Sequence, residues 1–397
     1  MVTQGQLFKG LIFFFLLGEA IFNLFNNFMD SELAIPWSKC ISLCTDGAAA
    51  MTGKSKGLVA RIQTVAPEIK GTHCMLHRSA LASKKLSPVL NDTLSDAVKV
   101  VNFIKAKPLN SRLFSSLCEQ ADSEHVKLLL HTEVRWLSRG RFLERLFELR
   151  SEVKSFLSNH GSPLAELFDD TNFLARLAYL TDIFALVNKL NLSMQGRDSN
   201  LLSSTDKIAA FKKKLDIWKR KTDEGICDMF HLLCEYLAEI DSVFAEVQAV
   251  VSAHLSSLKQ YFEQYFPGDE HLCAFEWVRS PFAETAMNQS GLKGKAEEQL
   301  AELSSDNTLK VKFAEMRIDE FWISVETEYP ELVNECLKII VPFSSTYLCE
   351  SGFSAFAYIK NKYRSKLNAE NDLRVALSNI EPNISKLCSD RQAQQSH

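Results

Sequence analysis

The sequence predicts an α/β layer interrupted by a large all-helical block, and three observations carry that expectation. Short apolar runs alternate with amphipathic stretches at the start of the chain, the pattern of strands and helices taken in turn. From about residue 89 onward, apolar residues recur at helical spacing with little strand signal. The chain of 397 residues holds 27 Phe against only 15 Gly and 10 Pro, which suits long helices with aromatic cores better than a turn-rich β protein.

Taken in order, residues 7–17 read as a buried strand, 18–32 as a helix and 39–46 as a second strand. The run Leu11-Ile12-Phe13-Phe14-Phe15-Leu16-Leu17 superficially resembles a signal-peptide core. It is far shorter than the about 20 residues a membrane span needs, and no good small-x-small cleavage pattern follows it, so it is read as a strand feeding a helix. Residues 54–66 form a helix ending before Pro67, Ile69 to Met75 a third short strand, and His77 opens another helix. Helical spacing then runs through Val98, Val101 and Ile104, through Leu143, Leu146 and Phe147, and on to Leu332–Ile340. Residues 263–311, with Pro267-Gly268-Asp269 and Arg279-Ser280-Pro281, are the least regular and read as a linker. The polar end of the chain reads as a disordered tail.

Formal net charge is −4, so no global basic field draws the chain to nucleic acid and any such surface is local. The 10 Cys are scattered with no CxxC pair, which predicts reduced, buried thiols inside a cell. Cys227 and Cys234 lie seven residues apart in an apolar stretch and read as helix packing. One basic run remains, in which Lys207, Lys212, Lys213, Lys214, Lys219, Arg220 and Lys221 flank an apolar seam of Ile208, Phe211, Leu215 and Trp218. The seam faces a core, and the lysines read first as a solvated face and second as a phosphate-binding one. Lys360, Lys362, Arg364 and Lys366 form a similar run.

Two acids stand out. Asp46 closes the apolar strand 39–46 and opens a small-residue helix start, Gly47-Ala48-Ala49-Ala50. Glu350 lies far downstream in Cys349-Glu350-Ser351-Gly352-Phe353-Ser354. Carboxylates at a strand tip and on a late helix are parts of a site for two divalent metals about 4 Å apart, and hard ions such as magnesium prefer oxygen ligands. Alone, an Asp before Gly-Ala is an ordinary helix cap. Cys349 has no His-bearing partner motif to make it a nucleophile.

Combination adds specificity. Thr72-His73-Cys74-Met75-Leu76-His77-Arg78 follows Asp46, Glu133-Val134-Arg135-Trp136-Leu137-Ser138-Arg139 lies deeper, and Glu276-Trp277-Val278-Arg279-Ser280-Pro281-Phe282 comes later. Cys349 to Ser354 and Asn361-Lys362-Tyr363-Arg364-Ser365-Lys366-Leu367 complete the series. In this order the motifs resemble the transposases of the hAT superfamily, within it the Buster-like branch of host proteins with zinc-finger-BED or SCAN domains. The resemblance runs from roughly residue 10 to 388.

The resemblance implies an RNase H-like core, incomplete at its N-terminus and interrupted by a helical domain. The division it implies is 1–88 for the first part of the core, 89–315 for the helical insertion, 316–388 for a C-terminal dimerisation region completing the core, and 389–397 for the tail. Asp46 resembles the family's second catalytic acid and Glu350 its third. Cys74 and His77 match its C-x-x-H element, read as structural rather than as a zinc pair, since no second pair of ligands lies nearby. Arg135 and Trp136 match the motif whose indole stacks on a flipped base, a contact of about 1–3 kcal/mol. Arg135, Trp136, Lys212, Lys213 and Lys214 are thus the candidates for DNA contact, with Trp136 as a core aromatic the equal alternative.

The departures shape the expected function. The family's first acid belongs on a strand before Leu11–Leu17, where this sequence begins, and Glu19, Asp30 and Glu32 fall on a helix or its end. The expectation is therefore a domesticated or decayed, catalytically inactive homodimer with residual DNA or chromatin binding, placed in the nucleus or, alternatively, the cytoplasm. It has no metal site or cofactor unless a complete acidic triad adds magnesium, and no membrane or small-molecule partner. The alternative is a partial gene model of an active metal-dependent DNA transposase.

Overall fold

The computed structural model describes residues 18–130, 138–196, 199–241, 244–267, 275–361, 364, 366–378 and 383–389. The strand expected over 7–17, the Arg135-Trp136 pair and the tail from residue 390 lie outside them. The chain divides into two compact units, Met1–Cys74 with Ser345–His397, and Met75–Ser344.

The first unit opens with α1 (Gly18–Asn27), which runs into a π-helical turn, Phe28–Leu33, closed by Ala34 in the left-handed region at φ 50°. β1 (Ser42–Thr45) and β2 (Lys70–His73) pair in parallel, Ser42 against Lys70 through Thr45 against His73. Parallel neighbours need a crossover, which here carries α2 (Ala49–Thr52) and α3 (Leu58–Val65). The apolar face of α3, Leu58 and Ile62, packs with Ala66 and Ile69, and Ile21, Phe22, Phe25 and Trp37 cover it. Trp37 meets Phe25 edge-on at 5.4 Å, and its indole N–H donates to Asn26 Oδ1 at 2.7 Å. The unit's strands and crossover follow the alternation read from the sequence.

In the second unit, α4 (Met75–Ala82) leads to α5 (Pro88–Lys105) and α6 (Pro108–Gln120). Both of the latter begin on proline, whose fixed φ and missing N–H suit a first helical turn. Then come α7 (Ser138–Glu148), α8 (Arg150–Asn159), α9 (Thr171–Ser193), α10 (Leu201–Asp223), α11 (His231–Glu239) and α12 (Ala245–Tyr265). Asp170 caps α9 by accepting the Asn172 N–H at 2.9 Å. A reciprocal Asn200–Ser203 box caps α10. α9 is buried on nearly every face and packs against α5, α7, α10, α11 and α12. The seam Ile208, Phe211, Leu215 and Trp218 on α10 is buried, as its spacing predicts.

The expected linker over 263–311 is corrected by the structure. Helices occupy Glu276–Arg279, Glu284–Gln289 and Lys295–Ser305, followed by Asn307–Glu315, Ile318–Ser324 and Pro330–Ile340. Trp277, Val278, Leu300 and Leu303 share one buried core with Phe321, Trp322, Leu332 and Val333. Trp277 and Trp322 meet edge-on at 5.5 Å, and the Trp322 indole donates to the Val278 carbonyl at 3.0 Å. Proline and glycine here separate short helices rather than mark a solvated spacer, so a window long enough to detect periodicity averages across the breaks. Beyond Ser344, the helices Tyr347–Ile359, Glu370–Leu377 and Ile384–Ser389 return to the first unit.

A second correction concerns Cys227 and Cys234. Cys227 lies in the turn before α11 rather than in a helix, and it is disulfide-bonded to Cys234 in that helix's first turn. The other described cysteines, Cys40, Cys44, Cys74, Cys118, Cys336 and Cys349, are free thiols.

Candidate functional site

The ends of β1 and β2 carry Asp46 and Cys74, and Cys74 leads on to Glu350. Thr45 closes β1, and its carbonyl accepts the Cys74 N–H at 2.8 Å just past β2. Asp46 follows, its Oδ1 accepting the Ala48 N–H at 3.1 Å, which starts the short α2. Between them the chain passes close to an imidazole. A Cβ on Gly47 would sit 2.7 Å from His73 Cε1, so a side chain here would have to displace that ring.

Cys74 Sγ accepts from both the amide and the hydroxyl of Thr346, each at 3.3 Å. The same hydroxyl lies 3.1 Å from Glu350 Oε1, so one threonine joins the Cys74 thiol to the Glu350 carboxylate. The Cys44 thiol hydrogen-bonds to Cys74, and that contact, with burial, holds it far above its ordinary range. Burial, then the Glu350 charge, also pushes Cys349 up. Thiols held protonated make poor nucleophiles and poor metal ligands. Thr346 thereby gives Cys74 a structural task, tethering the start of the Tyr347–Ile359 helix. His77 stands in the first turn of α4, in the other unit.

A magnesium ion of the kind the resemblance associates with these acids would need converging oxygens. Asp46 spends one on its own helix start and Glu350 one on Thr346. Among the described residues, no group of three His, Cys, Asp or Glu donors within 4.8 Å of one another includes either acid.

The basic run on α10 is largely matched by partners. Lys219 pairs with Asp223 at 2.5 Å and Lys221 with Asp228 at 2.7 Å. Lys212 donates to the Phe266 carbonyl just beyond α12 at 2.6 Å, and Lys207 to the Ser193 carbonyl at the end of α9. These last two serve as C-terminal caps from a neighbouring helix. Lys213 and Lys214 remain exposed. In the second run, the Lys360 ammonium sits over the Phe356 ring at 5.6 Å.

Sequence reasoning missed a cavity of about 560 Å³ walled by the turn after α6, by α7 and by α11. At its rim, ligand atoms of Glu124, His125 and Glu148 lie within 4.8 Å of one another, among the described residues the one such trio. His125 Nδ1 is 2.7 Å from Glu148 Oε1, and Arg145 Nε is 3.1 Å from Glu148 Oε2. The donor types suit a divalent transition ion, but the contacts already form an exposed ion-pair network in which Arg145 balances Glu148. No spacing rule points to this cluster, because Glu148 meets His125 only where the residues just after α6 lie against α7.

Deeper in the same unit lies a buried polar set. The Asp182 carboxylate on α9 accepts the Leu232 and Leu233 N–H groups at 3.3 and 3.0 Å, anchoring the start of α11. Burial pushes its pKa up to about 6, against the pull of those two amides. Tyr179 Oη lies 2.7 Å from His254 Nδ1, and burial lowers the imidazole to about 4. These contacts join α9 to α11 and to α12.

Among the described residues, no helix is long and apolar enough to cross a membrane. Residues 73–223, from the end of β2 through α10, match the FAM200/GTF2IRD2 helical domain, a domain related to domesticated hAT-like transposases.

Proposed function

We propose that the chain is a domesticated transposase-derived protein that acts by self-association in the nucleus, without strand-transfer chemistry. The observation that carries this reading is the match of residues 73–223 to a helical domain related to domesticated transposases. The RNase H-like core and the Buster-like affinity belong to the same proposal, supported by the parallel β1–β2 pair with a crossover and by the acids at its ends. The local roles of Asp46 and Glu350, in a helix start and in a threonine contact, favour vestigial acids over metal ligands. DNA or chromatin is the secondary partner, with the exposed Lys213 and Lys214 as contacts and Arg135-Trp136 as the family's counterpart.

The segment from 321 onward sorts its apolar residues in a way that narrows the association surface. Phe321, Trp322, Val325, Leu332 and Val333 serve the chain's own core. Tyr358, at 88% exposure, and Val375, at 70%, do not. Apolar side chains this exposed on helices are candidates for a partner surface.

Sedimentation of the full chain at micromolar concentration tests the reading. A dimer is expected, and Tyr358→Glu with Val375→Glu should shift it to monomer while leaving the circular dichroism unchanged. A strict monomer would reject self-association. Magnesium- or manganese-dependent DNA nicking that disappears in Glu350→Ala would instead favour an active nuclease.

A further inference from the structure

The position of α11 depends on a short stretch before it. Phe230 is fully buried, meeting Tyr179 edge-on at 5.0 Å and Trp218 at 6.5 Å. The next amides, of Leu232 and Leu233, are held by Asp182. Cys227 and Cys234 bracket this stretch and are bonded across it, their Cα atoms 6.1 Å apart. Both are half-buried rather than sealed in the core, so small thiols and oxidants can reach them. α11 in turn supplies Leu232, Tyr236 and Glu239 to the cavity wall, where Glu239 pairs with Arg150 at 2.6 Å and Tyr236 packs on Phe147.

We propose that Cys227 and Cys234 form a reversible redox clasp that sets how firmly α11 is held against the cavity. With both thiols reduced, the first turn of α11 keeps its hydrogen bonds to Asp182 and its packing beside Phe230 but loses the covalent link. A hydroperoxide closes the clasp in two steps. One thiolate attacks the peroxide oxygen, giving a sulfenic acid and releasing an alcohol, or water from hydrogen peroxide itself. The second thiolate then attacks the sulfenic sulfur, forming the disulfide and releasing water. Two molecules of a monothiol such as glutathione reopen it through a mixed disulfide, leaving as the oxidised dimer. The other described free thiols of this unit, Cys118 and Cys336, are fully buried, so neither competes for the short link.

The test uses the full chain, treated with hydrogen peroxide or with glutathione, quenched with an alkylating reagent and digested. A Cys227–Cys234 cross-linked peptide should appear with peroxide and vanish with glutathione. Amide hydrogen exchange from Leu233 to Leu237 should slow by about tenfold in the oxidised chain, the order expected when a short cross-link restrains local opening. The Cys227→Ser/Cys234→Ser variant should exchange like the reduced chain whatever the peroxide. Peroxide that leaves both thiols free, or that joins either to another cysteine, would overturn the proposal. So would equal exchange of α11 in the two oxidation states, a comparison that needs no variant to fold.

Discussion

Among the described residues, the unit from Met75 to Ser344 and the unit formed by Met1–Cys74 with Ser345–His397 bury apolar side chains to very different extents. In the former, α9 is enclosed by five helices, and the indoles of Trp277 and Trp322 are sealed in a second cluster. In the latter, the buried cluster is Leu58, Ile62, Ala66 and Ile69 under a partial aromatic cover. Its helix Tyr347–Ile359 is as apolar in composition as any core helix, yet Gly352 is its one buried residue. Apolar content therefore does not locate a core. What locates it is whether neighbouring elements present enough surface to close over the side chain.

The sharpest way to break that comparison is inside the second cluster. Trp322→Ala removes a fully buried indole, its hydrogen bond to Val278 and its edge contact with Trp277. Denaturant unfolding should show a loss of about 3–5 kcal/mol. A loss under 1 kcal/mol would mean that this cluster is no better sealed than the first unit.

The buried ionisable groups sharpen it next, because their pKa values register how closed the helical unit is. His254 is depressed from 6.5 to about 4, so it contributes stability above pH 6.5 that is lost as pH falls through 4. Asp182 is raised from 3.8 to about 6, so its contribution is present below pH 3.8 and is lost as pH rises through 6. The two trends oppose each other across that window. Relative to the native chain, Asp182→Asn should lose stability as pH falls from 6 to 3.8, and His254→Gln should gain it as pH falls from 6.5 to 4. Each divergence should be on the order of 2–3 kcal/mol. Parallel pH profiles for all three proteins would show that water reaches both sites.

The smallest of these effects is at a helix start. Asn200→Ala removes the side-chain half of the α10 capping box and should cost about 1 kcal/mol in thermal or denaturant unfolding. An unchanged midpoint would place the stability of α10 in its buried seam alone.

Much of the fold was legible in sequence because its signals are local. The alternation before residue 75 gave β1, α3, β2 and α4 within a few residues, and the heptad-spaced seam of α10 named its buried face before any packing was known. Proline and glycine misled over 263–311, since a breaker marks the end of an element without saying whether the next one is buried. Trp277 and Trp322 reveal that burial only when they meet.

The candidate site divides in the same way. Sequence by itself determined which residue types stand at the strand tip and on the late helix, Asp46 and Glu350, because order and spacing are covalent facts. Tertiary structure decided what they touch: Asp46 its own helix start, Glu350 the threonine that also binds Cys74. It alone decided that Cys227 reaches Cys234, that Asp182 caps a helix some 50 residues away, and that His125 meets Glu148. Hydrogen bonds and disulfides act over a few ångströms, and only the folded path of the chain brings such partners within that range.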